Sequence, residues 1–262
     1  MIEAEVFAKI SEALKNNKPA ALVTVLSHAG SSPGKQGSVM AVLSNGETYG
    51  TVGGGSLEHT ATKEALEAIK AGTDKELSFD LTDDGMMCGG KVRLYIKTFA
   101  PSERLIICGG GHIGQKLYQL GIMQGFAVTV IDDRAEFANG INFPDASEVI
   151  CKDVGKALSE MNIDDTCYIA IATRSHETDF DALGSAVGTK AAYIGMIGSR
   201  KKVNTVMDKL SAEGIDKAVL DKIYAPMGLD IATVKTEEIA LSIISEIMLV
   251  KNGGNLRHMK DR

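Results

Sequence analysis

The pattern of apolar and polar positions changes character near residue 100. Before that point, apolar runs predict helices and strands in mixed order, with the two-residue turn Asn45-Gly46 as a hairpin signal. The predicted elements are a helix over 4–16, strands over 20–27 and 38–44, a helix over 56–70, and strands in ELSFDLT and KVRLYIKTF. We therefore expect a mixed α+β domain over residues 1–99.

From Arg104 onward, short apolar strands alternate with helical segments. The predicted strands are RLIICG, AVTVID, SEVICKD, CYIAIAT and AYIGMIG, and the intervening helices include 112–125, 180–189 and one from about 199. Such alternation predicts a parallel sheet with helices on both faces. A last helix, TEEIALSIISEIMLVKN, is expected to begin with Thr236 as its N-cap.

The stretch ICGGGHIG contains the pattern G-x-G-x-x-G, formed by Gly109, Gly111 and Gly114 between a predicted strand and a predicted helix. Asp132 ends the next strand, near the offset at which an acid accepts from a ribose hydroxyl. The N-terminus of the helix would face a diphosphate. This context predicts an α/β chain with a Rossmann-like domain over 100–251, whereas the alternative is a tight turn that binds nothing.

Three other residues of this loop belong to the same candidate cofactor site: Gly110, His112 and Ile113. His112 either contacts the ligand or faces solvent. The polar residues that follow the last helix, 252–262, are expected to form a disordered tail.

Two further loops follow strands of the predicted parallel sheet, where such sheets bind ligands. One contains Arg174 and His176, and the other contains Gly198, Ser199 and Arg200. Either arginine can pair with a phosphate or with the polar edge of a pterin. Arg200 equally fits a solvated charge, and His176 is either a proton donor or a helix-capping residue.

Glycine-rich loops of the first region supply the remaining candidates: Ser32 in GSSPGKQG, Gly54 and Gly55 in GTVGGGSLE, and Cys88 in DGMMCGG. The glycines before the helix form a second candidate anion site. Cys88 is either an exposed, reactive thiol or a small buried loop residue. The other three cysteines lie within apolar strand runs and are expected to be inert core residues: Cys108, Cys151 and Cys167.

Composition narrows the function classes. The net charge is −6 and the only locally basic stretch is Arg200-Lys201-Lys202, which argues against a nucleic-acid partner. No apolar run reaches the roughly 18 residues of a membrane span, and the N-terminus is amphipathic rather than signal-like. The four cysteines form no C-x-x-C pair, so neither a zinc site nor a disulfide framework is indicated. These features are typical of a cytoplasmic protein without a membrane partner.

Eight stretches, in this order, resemble the XdhC/CoxI family of accessory proteins of xanthine dehydrogenase and related molybdenum hydroxylases: GSSPGKQGSVM, GTVGGGSLEH, MCGG, ICGGGHIG, VIDDRAEFA, ATRSHETDFDAL, YIGMIGSRKK and PMGLDI. The resemblance runs from about residue 8 to 250. It implies a homodimer that binds molybdenum cofactor, as molybdopterin or its dinucleotide form. It also implies help with sulfuration by a cysteine desulfurase and delivery of the cofactor to an apo molybdenum hydroxylase.

A cofactor-binding accessory protein is thus expected, with no catalytic residue assigned and no metal site of its own. Cys88 is the candidate contact for the cofactor, because soft sulfur ligands suit a dithiolene–metal centre. The main alternative is an NAD(P)-dependent oxidoreductase that uses the glycine loop, although no acid–base constellation for hydride transfer is recognisable. A third reading is a nucleotide-sensing regulatory domain.

Overall fold

A computed structural model describes residues 2–30, 34–80, 90–231 and 234–261. The chain forms two compact units, Met1–Ser102 and Glu103–Arg262. Within the described ranges, no helix is both long enough and apolar enough to cross a bilayer.

The first unit is a five-stranded antiparallel sheet with two helices. Its elements are α1 (Ile2–Lys15), β1 (Ala20–Gly30), β2 (Val39–Leu43), β3 (Thr48–Gly50), α2 (Gly55–Ala71), β4 (Lys75–Asp80) and β5 (Gly90–Phe99). The strand order is β3-β2-β1-β5-β4. The hairpin predicted at Asn45-Gly46 joins β2 to β3, and Gly46 adopts a φ of 87°.

The two helices of this unit cover opposite faces of the sheet, because successive strand side chains point to opposite sides. Val6 and Ile10 of α1 pack with Ala20 and Ala41. The larger cluster on the other face joins α2 to three strands through Leu57, Ala61, Ala65, Val23, Met40, Val42, Leu94 and Ile96.

The second unit is a five-stranded parallel sheet with helices on both faces, which confirms the predicted fold class. Its elements are β6 (Arg104–Cys108), α3 (His112–Met123), β7 (Ala127–Asp132), β8 (Glu148–Cys151), α4 (Val154–Glu160), β9 (Cys167–Ile171), α5 (His176–Ala186), β10 (Tyr193–Met196), α6 (Arg200–Ala212), α7 (Lys217–Leu220), α8 (Thr236–Lys251) and a 3₁₀ helix (Met259–Asp261). The order is β10-β9-β6-β7-β8, and every pair is parallel.

Each face of this sheet has its own apolar core. On one face α4, α5 and α6 pack on alternate strand residues such as Ile106, Ile169 and Met196. On the other face α3 and α8 pack on Leu105 and Ala170 among others. Glu246, within the apolar α8, accepts hydrogen bonds from the Tyr193 hydroxyl at 2.6 Å and from the Gly228 N–H at 2.9 Å.

Three local predictions were wrong. Helix α5 begins at His176 rather than near Phe180, because the Ser175 side chain accepts from the Thr178 N–H and starts the helix earlier. Thr236 is the first helical residue of α8, and Lys235 occupies the N-cap position. Cys151 is exposed, because it ends the short edge strand β8. Residues 252–261 are exposed throughout.

Candidate functional site

One edge of the parallel sheet collects most of the residues that the sequence singled out. Because β6 to β10 are parallel, the loops after their carboxyl ends lie along the same edge. The glycine loop follows β6, between the loops that follow β7 and β9. The chain leaves β6 toward β7 on one side and returns to β9 on the other, which makes this the switch point of the sheet.

Two glycines of the loop are required by packing. Gly109 has a φ of 116°, and a Cβ there would lie 2.3 Å from the Ala172 carbonyl oxygen. A Cβ on Gly114 would lie 1.9 Å from the Gly109 carbonyl oxygen. Hydrogen bonds tie the same segment to both neighbouring strands, since the Gly109 N–H donates to Ile131 and the Ala172 N–H donates to Cys108.

Gly111 is different, because a Cβ on this residue would meet no atom within 4 Å. It is the N-cap residue of α3, and it provides no side-chain hydrogen bond to the first turn. That turn contains no acidic residue, and the His112 side chain is exposed. Ile113 instead packs against the apolar core.

Three other helices that begin at this edge have side-chain caps. Asp153, Ser175 and Ser199 each accept from a backbone N–H in the first turn of α4, α5 and α6. The N-terminus of α3 therefore keeps backbone donors and the positive end of a helix dipole available for an anion.

Asp132 fixes the glycine loop to the next strand. Its side chain is only 4 % exposed, and it accepts from the Gly110 N–H at 2.8 Å. Arg134 donates to the same carboxylate from its backbone N–H at 3.0 Å, from Nε at 2.9 Å and from Nη2 at 3.0 Å. Burial raises the pKa of Asp132, but these hydrogen bonds outweigh burial, so the pKa lies below its usual range. A ribose could use this acceptor only if Arg134 moved.

A second ion pair, between Arg174 and Asp133, lies beside the pair of Arg134 and Asp132. Arg174 Nη2, in the loop after β9, is 2.9 Å from Asp133 Oδ2, directly after β7. Arg134 Nε lies 3.8 Å from Asp133 Oδ1, and its guanidinium carbon lies 3.8 Å from the centre of the Phe137 ring. Sequence reasoning named Asp132 and Arg174 but missed Asp133 and Arg134, although the run Asp-Asp-Arg at a strand end was a readable signal.

Asp179, whose side chain is fully buried, anchors the loop that follows β9. Thr173 donates to it from its N–H at 3.2 Å and from its hydroxyl, and Lys202 of α6 forms an ion pair with its other oxygen. The role of Asp179 was missed, yet it shares the buried stripe of α5 with Ala182, Leu183 and Ala186, where a charge is unusual.

The remaining candidates of this unit are exposed or structural. His176 and Arg200 are the first residues of α5 and α6, and both side chains are exposed. Gly198 precedes the N-cap Ser199, and a Cβ on it would lie 2.9 Å from Lys202 Cδ. Burial, with a smaller contribution from Asp179, raises the pKa of the Cys108 thiol far above its usual range, so this thiol is inert.

The candidates of the first unit are only partly described. Gly54 is the N-cap residue of α2 and Gly55 its first residue. Ser32 and Cys88 lie outside the described residues. In the described part of the chain, no three His, Cys, Asp or Glu side chains form a group that could hold a metal ion.

Comparison with known proteins adds a family match to this geometry. Residues 105–247 match the XdhC Rossmann domain, and residues 13–80 match the XdhC and CoxI family.

Relatives align along most of the chain. The Escherichia coli uncharacterized protein YqeB is 27% identical over 253 residues, which cover 94% of this chain and 46% of YqeB, so the chain spans about half the length of that relative. The Escherichia coli molybdenum cofactor insertion chaperone PaoD is 22% identical, with 92% of this chain and 86% of PaoD covered.

A crystal structure from Bacillus halodurans, described as a xanthine dehydrogenase, is 20% identical with a TM-score of 0.53. The likeness covers 95% of this chain and 96% of that one, and it supports the fold.

Proposed function

The chain belongs to the XdhC and CoxI family, and from that membership we propose that it is an accessory factor for molybdenum cofactor. In this proposal it binds the cofactor, assists its sulfuration, and supports its insertion into xanthine dehydrogenase or a related molybdenum hydroxylase. PaoD, a relative along 92% of the chain, is named as a molybdenum cofactor insertion chaperone. One observation supports the binding step above the others. The N-terminus of α3 has no side-chain cap and no acidic residue in its first turn, and a Cβ on its N-cap residue Gly111 would meet no atom within 4 Å.

The cofactor is cargo in this scheme, and the carboxyl edge of the parallel sheet supplies groups for its phosphate end. Backbone N–H groups at the start of α3 suit the phosphate of molybdopterin or the diphosphate of its dinucleotide form. Arg174 and Arg200 are exposed cations on neighbouring loops of this edge. Arginine recognises phosphate through paired N–H donors, so these side chains suit the same ligand.

The thiol that would contact the metal end is Cys88. A soft thiolate suits a dithiolene–molybdenum centre. Cys108 cannot replace it, because this thiol is fully buried in the apolar core of the sheet. An apo molybdenum hydroxylase and a cysteine desulfurase complete the proposed partners, and the chain is proposed to act as a homodimer.

The binding step is tested by two substitutions of similar size at Gly111. Asp and Asn are both favourable N-cap residues, so Gly111→Asp and Gly111→Asn should leave the fold stable. The aspartate adds a negative charge beside the bound phosphate, and like charges a few Å apart near a protein surface repel by a few kcal/mol. We expect Gly111→Asp to retain at least about tenfold less molybdenum cofactor than Gly111→Asn. Cofactor retained after gel filtration and activation of apo-xanthine dehydrogenase are the measurements.

Equal retention by the two variants would remove the glycine loop from the cofactor site. Saturable NADH binding with turnover of a carbonyl substrate, and no cofactor retained by the wild type, would favour an NAD(P)-dependent oxidoreductase instead.

The contribution of Cys88 is tested separately. We expect Cys88→Ser to lower retention of molybdenum cofactor, because a hydroxyl is a poor ligand for a soft centre. Cys151→Ser is the matched control, because it makes the same change at a solvent-exposed thiol to which the proposal assigns no contact, and it should leave retention unchanged. Equal retention by both variants would exclude Cys88 from the site.

A further inference from the structure

The ion pair between Asp133 and Arg174 joins the loops on either side of the glycine loop. Asp133 directly follows β7, Arg174 follows β9, and β6 lies between these two strands. Neighbouring strands are about 4.8 Å apart, so β7 and β9 are separated by roughly 10 Å. The contact of 2.9 Å between Arg174 Nη2 and Asp133 Oδ2 therefore reaches across the end of β6, where the glycine loop begins.

The ion pair of Arg174 and Asp133 is far more exposed to solvent than the neighbouring ion pair of Arg134 and Asp132. The side chains of Arg174 and Asp133 are 54% and 37% exposed, whereas those of Arg134 and Asp132 are 24% and 4% exposed. Ion pairs this exposed contribute little to stability, because water screens both charges. Arg174 can therefore leave Asp133 at small cost, while Arg134 is held by several hydrogen bonds.

Arginine binds phosphate and carboxylate through the same kind of charge-assisted, often bidentate hydrogen bonds, so a phosphate competes best with Asp133 where further donors also hold it. The N–H groups at the start of α3 supply such donors beside Arg174. A phosphate ester at the glycine loop would thus compete with Asp133 for the same guanidinium. A neutral ligand would leave the ion pair unchanged.

We propose that Asp133 is a specificity residue that occupies Arg174 until a diphosphate ester displaces it. The displaced carboxylate stays near the site and repels anions that cannot engage both Arg174 and the helix N-terminus. The four side chains of the two ion pairs, Asp132 with Arg134 and Asp133 with Arg174, sum to no net charge, so this cluster does not attract anions indiscriminately. This inference rests on the proposed function only in that the phosphate end of the cargo lies at the glycine loop.

The proposal is tested by whether the substitution Asp133→Asn raises or lowers the affinity for ADP. Calorimetric titration of the full chain with ADP should show that Asp133→Asn binds about two- to fivefold more tightly than the wild type, the range set by an exposed ion pair. Arg174→Gln should bind about tenfold more weakly, because a charge-assisted contact to phosphate is lost. In the Arg174→Gln background, Asp133→Asn should give a smaller gain, because only the repulsion between the carboxylate and the phosphate is then removed.

The controls separate local competition from overall charge. Asp165→Asn makes the same charge change at an exposed position before β9, at the opposite edge of the sheet, and should not alter the affinity. Arg257→Gln is the corresponding control for the arginine, in the exposed residues after α8. Titration with adenosine, which has no phosphate, should give the same result for wild type and Asp133→Asn.

Three results would overturn the proposal: weaker ADP binding by Asp133→Asn, an equal gain in the Arg174→Gln background, or no ADP binding by any form of the protein. None of these decides the accessory role, which is judged by cofactor retention in the Gly111 variants. Conversely, the expected ADP results together with no retention of molybdenum cofactor would reject the accessory role and leave the competition in place.

Discussion

Two runs of three glycines precede a helix in this chain, one in each unit. Residues 53–55 lead into α2 and residues 109–111 lead into α3, and neither helix has a side-chain cap. The first run follows β3, a three-residue edge strand of the antiparallel sheet. The second follows β6, the central strand of the parallel sheet, with a neighbouring loop on each side.

The surroundings of the two runs differ in charge. The Thr51 hydroxyl accepts from the Gly53 N–H at 3.2 Å and donates to Glu58, which lies in the first turn of α2. The first turn of α3 has no acid, and the two acids beside its loop, Asp132 and Asp133, are each paired with an arginine. A glycine run supplies backbone donors, but the neighbouring loops decide whether an anion is favoured there. The described contacts favour the second run, while an anion site at Gly54 and Gly55 stays a prediction.

The largest contrast is expected in stability. Gly109→Ala forces a Cβ against the Ala172 carbonyl at a φ of 116°, which should lower the free energy of unfolding by about 2–4 kcal/mol. At Gly55 a Cβ would meet nothing within 4 Å, and alanine is the better helix former, so Gly55→Ala should change stability by less than about 1 kcal/mol, toward greater stability. Scanning calorimetry of both variants measures the difference. Similar losses at the two positions would contradict a packing role specific to Gly109.

A smaller contrast is expected for the side chains that hold each loop. Asp132→Asn removes the charge that binds Arg134 and should destabilise the second unit by about 1–3 kcal/mol. Thr51→Val removes an exposed hydroxyl from the other loop and should cost less than about 1 kcal/mol. Urea unfolding followed by hydrogen exchange of each unit separates the two effects.

The loss in Asp132→Asn should also depend on pH. Because the pKa of Asp132 is lowered in the folded protein, its contribution is present above the unfolded value of about 3.9 and disappears as the pH falls through the folded value. The difference in unfolding free energy between wild type and Asp132→Asn should therefore be constant near neutral pH and shrink below about pH 4. A difference that grows on acidification would exclude the carboxylate as its source.

Much of the fold was readable because local pattern and tertiary packing agree. Strand AVTVID matches β7 residue for residue, since its apolar side chains are buried on both faces. The sequence pattern predicts a start for α5 that is too late, because Ser175 and the acids of its first turn are polar, as residues of a loop usually are. The apolar neighbours of Cys151 predict a buried side chain, but they do not show that β8 is an edge strand, where the side chain is exposed.

For the candidate site, the sequence predicts the loops but not the contacts between them, because those contacts also depend on the order of the strands. Glycine spacing identifies a loop before a helix, and the strand ends identify the neighbouring loops. The pairing of Asp133 with Arg174 joins residues 41 positions apart, and it depends on the order β9-β6-β7, which no local pattern contains. Asp179 could have been found, because a charge on the apolar stripe of a helix requires a buried partner.

The hydrogen bond from Gly110 to Asp132 means that the loop is ordered before any ligand arrives. Fixing one backbone residue costs about 1–2 kcal/mol of conformational entropy. For the glycine loop that entropy is lost during folding, so binding does not have to supply it. A ligand can then be held through few contacts, and its departure requires only those contacts to break rather than a loop to unfold. If the chain passes its ligand to another protein, as proposed, such a rigid loop favours rapid exchange, with the dissociation rate set by the ligand's own contacts.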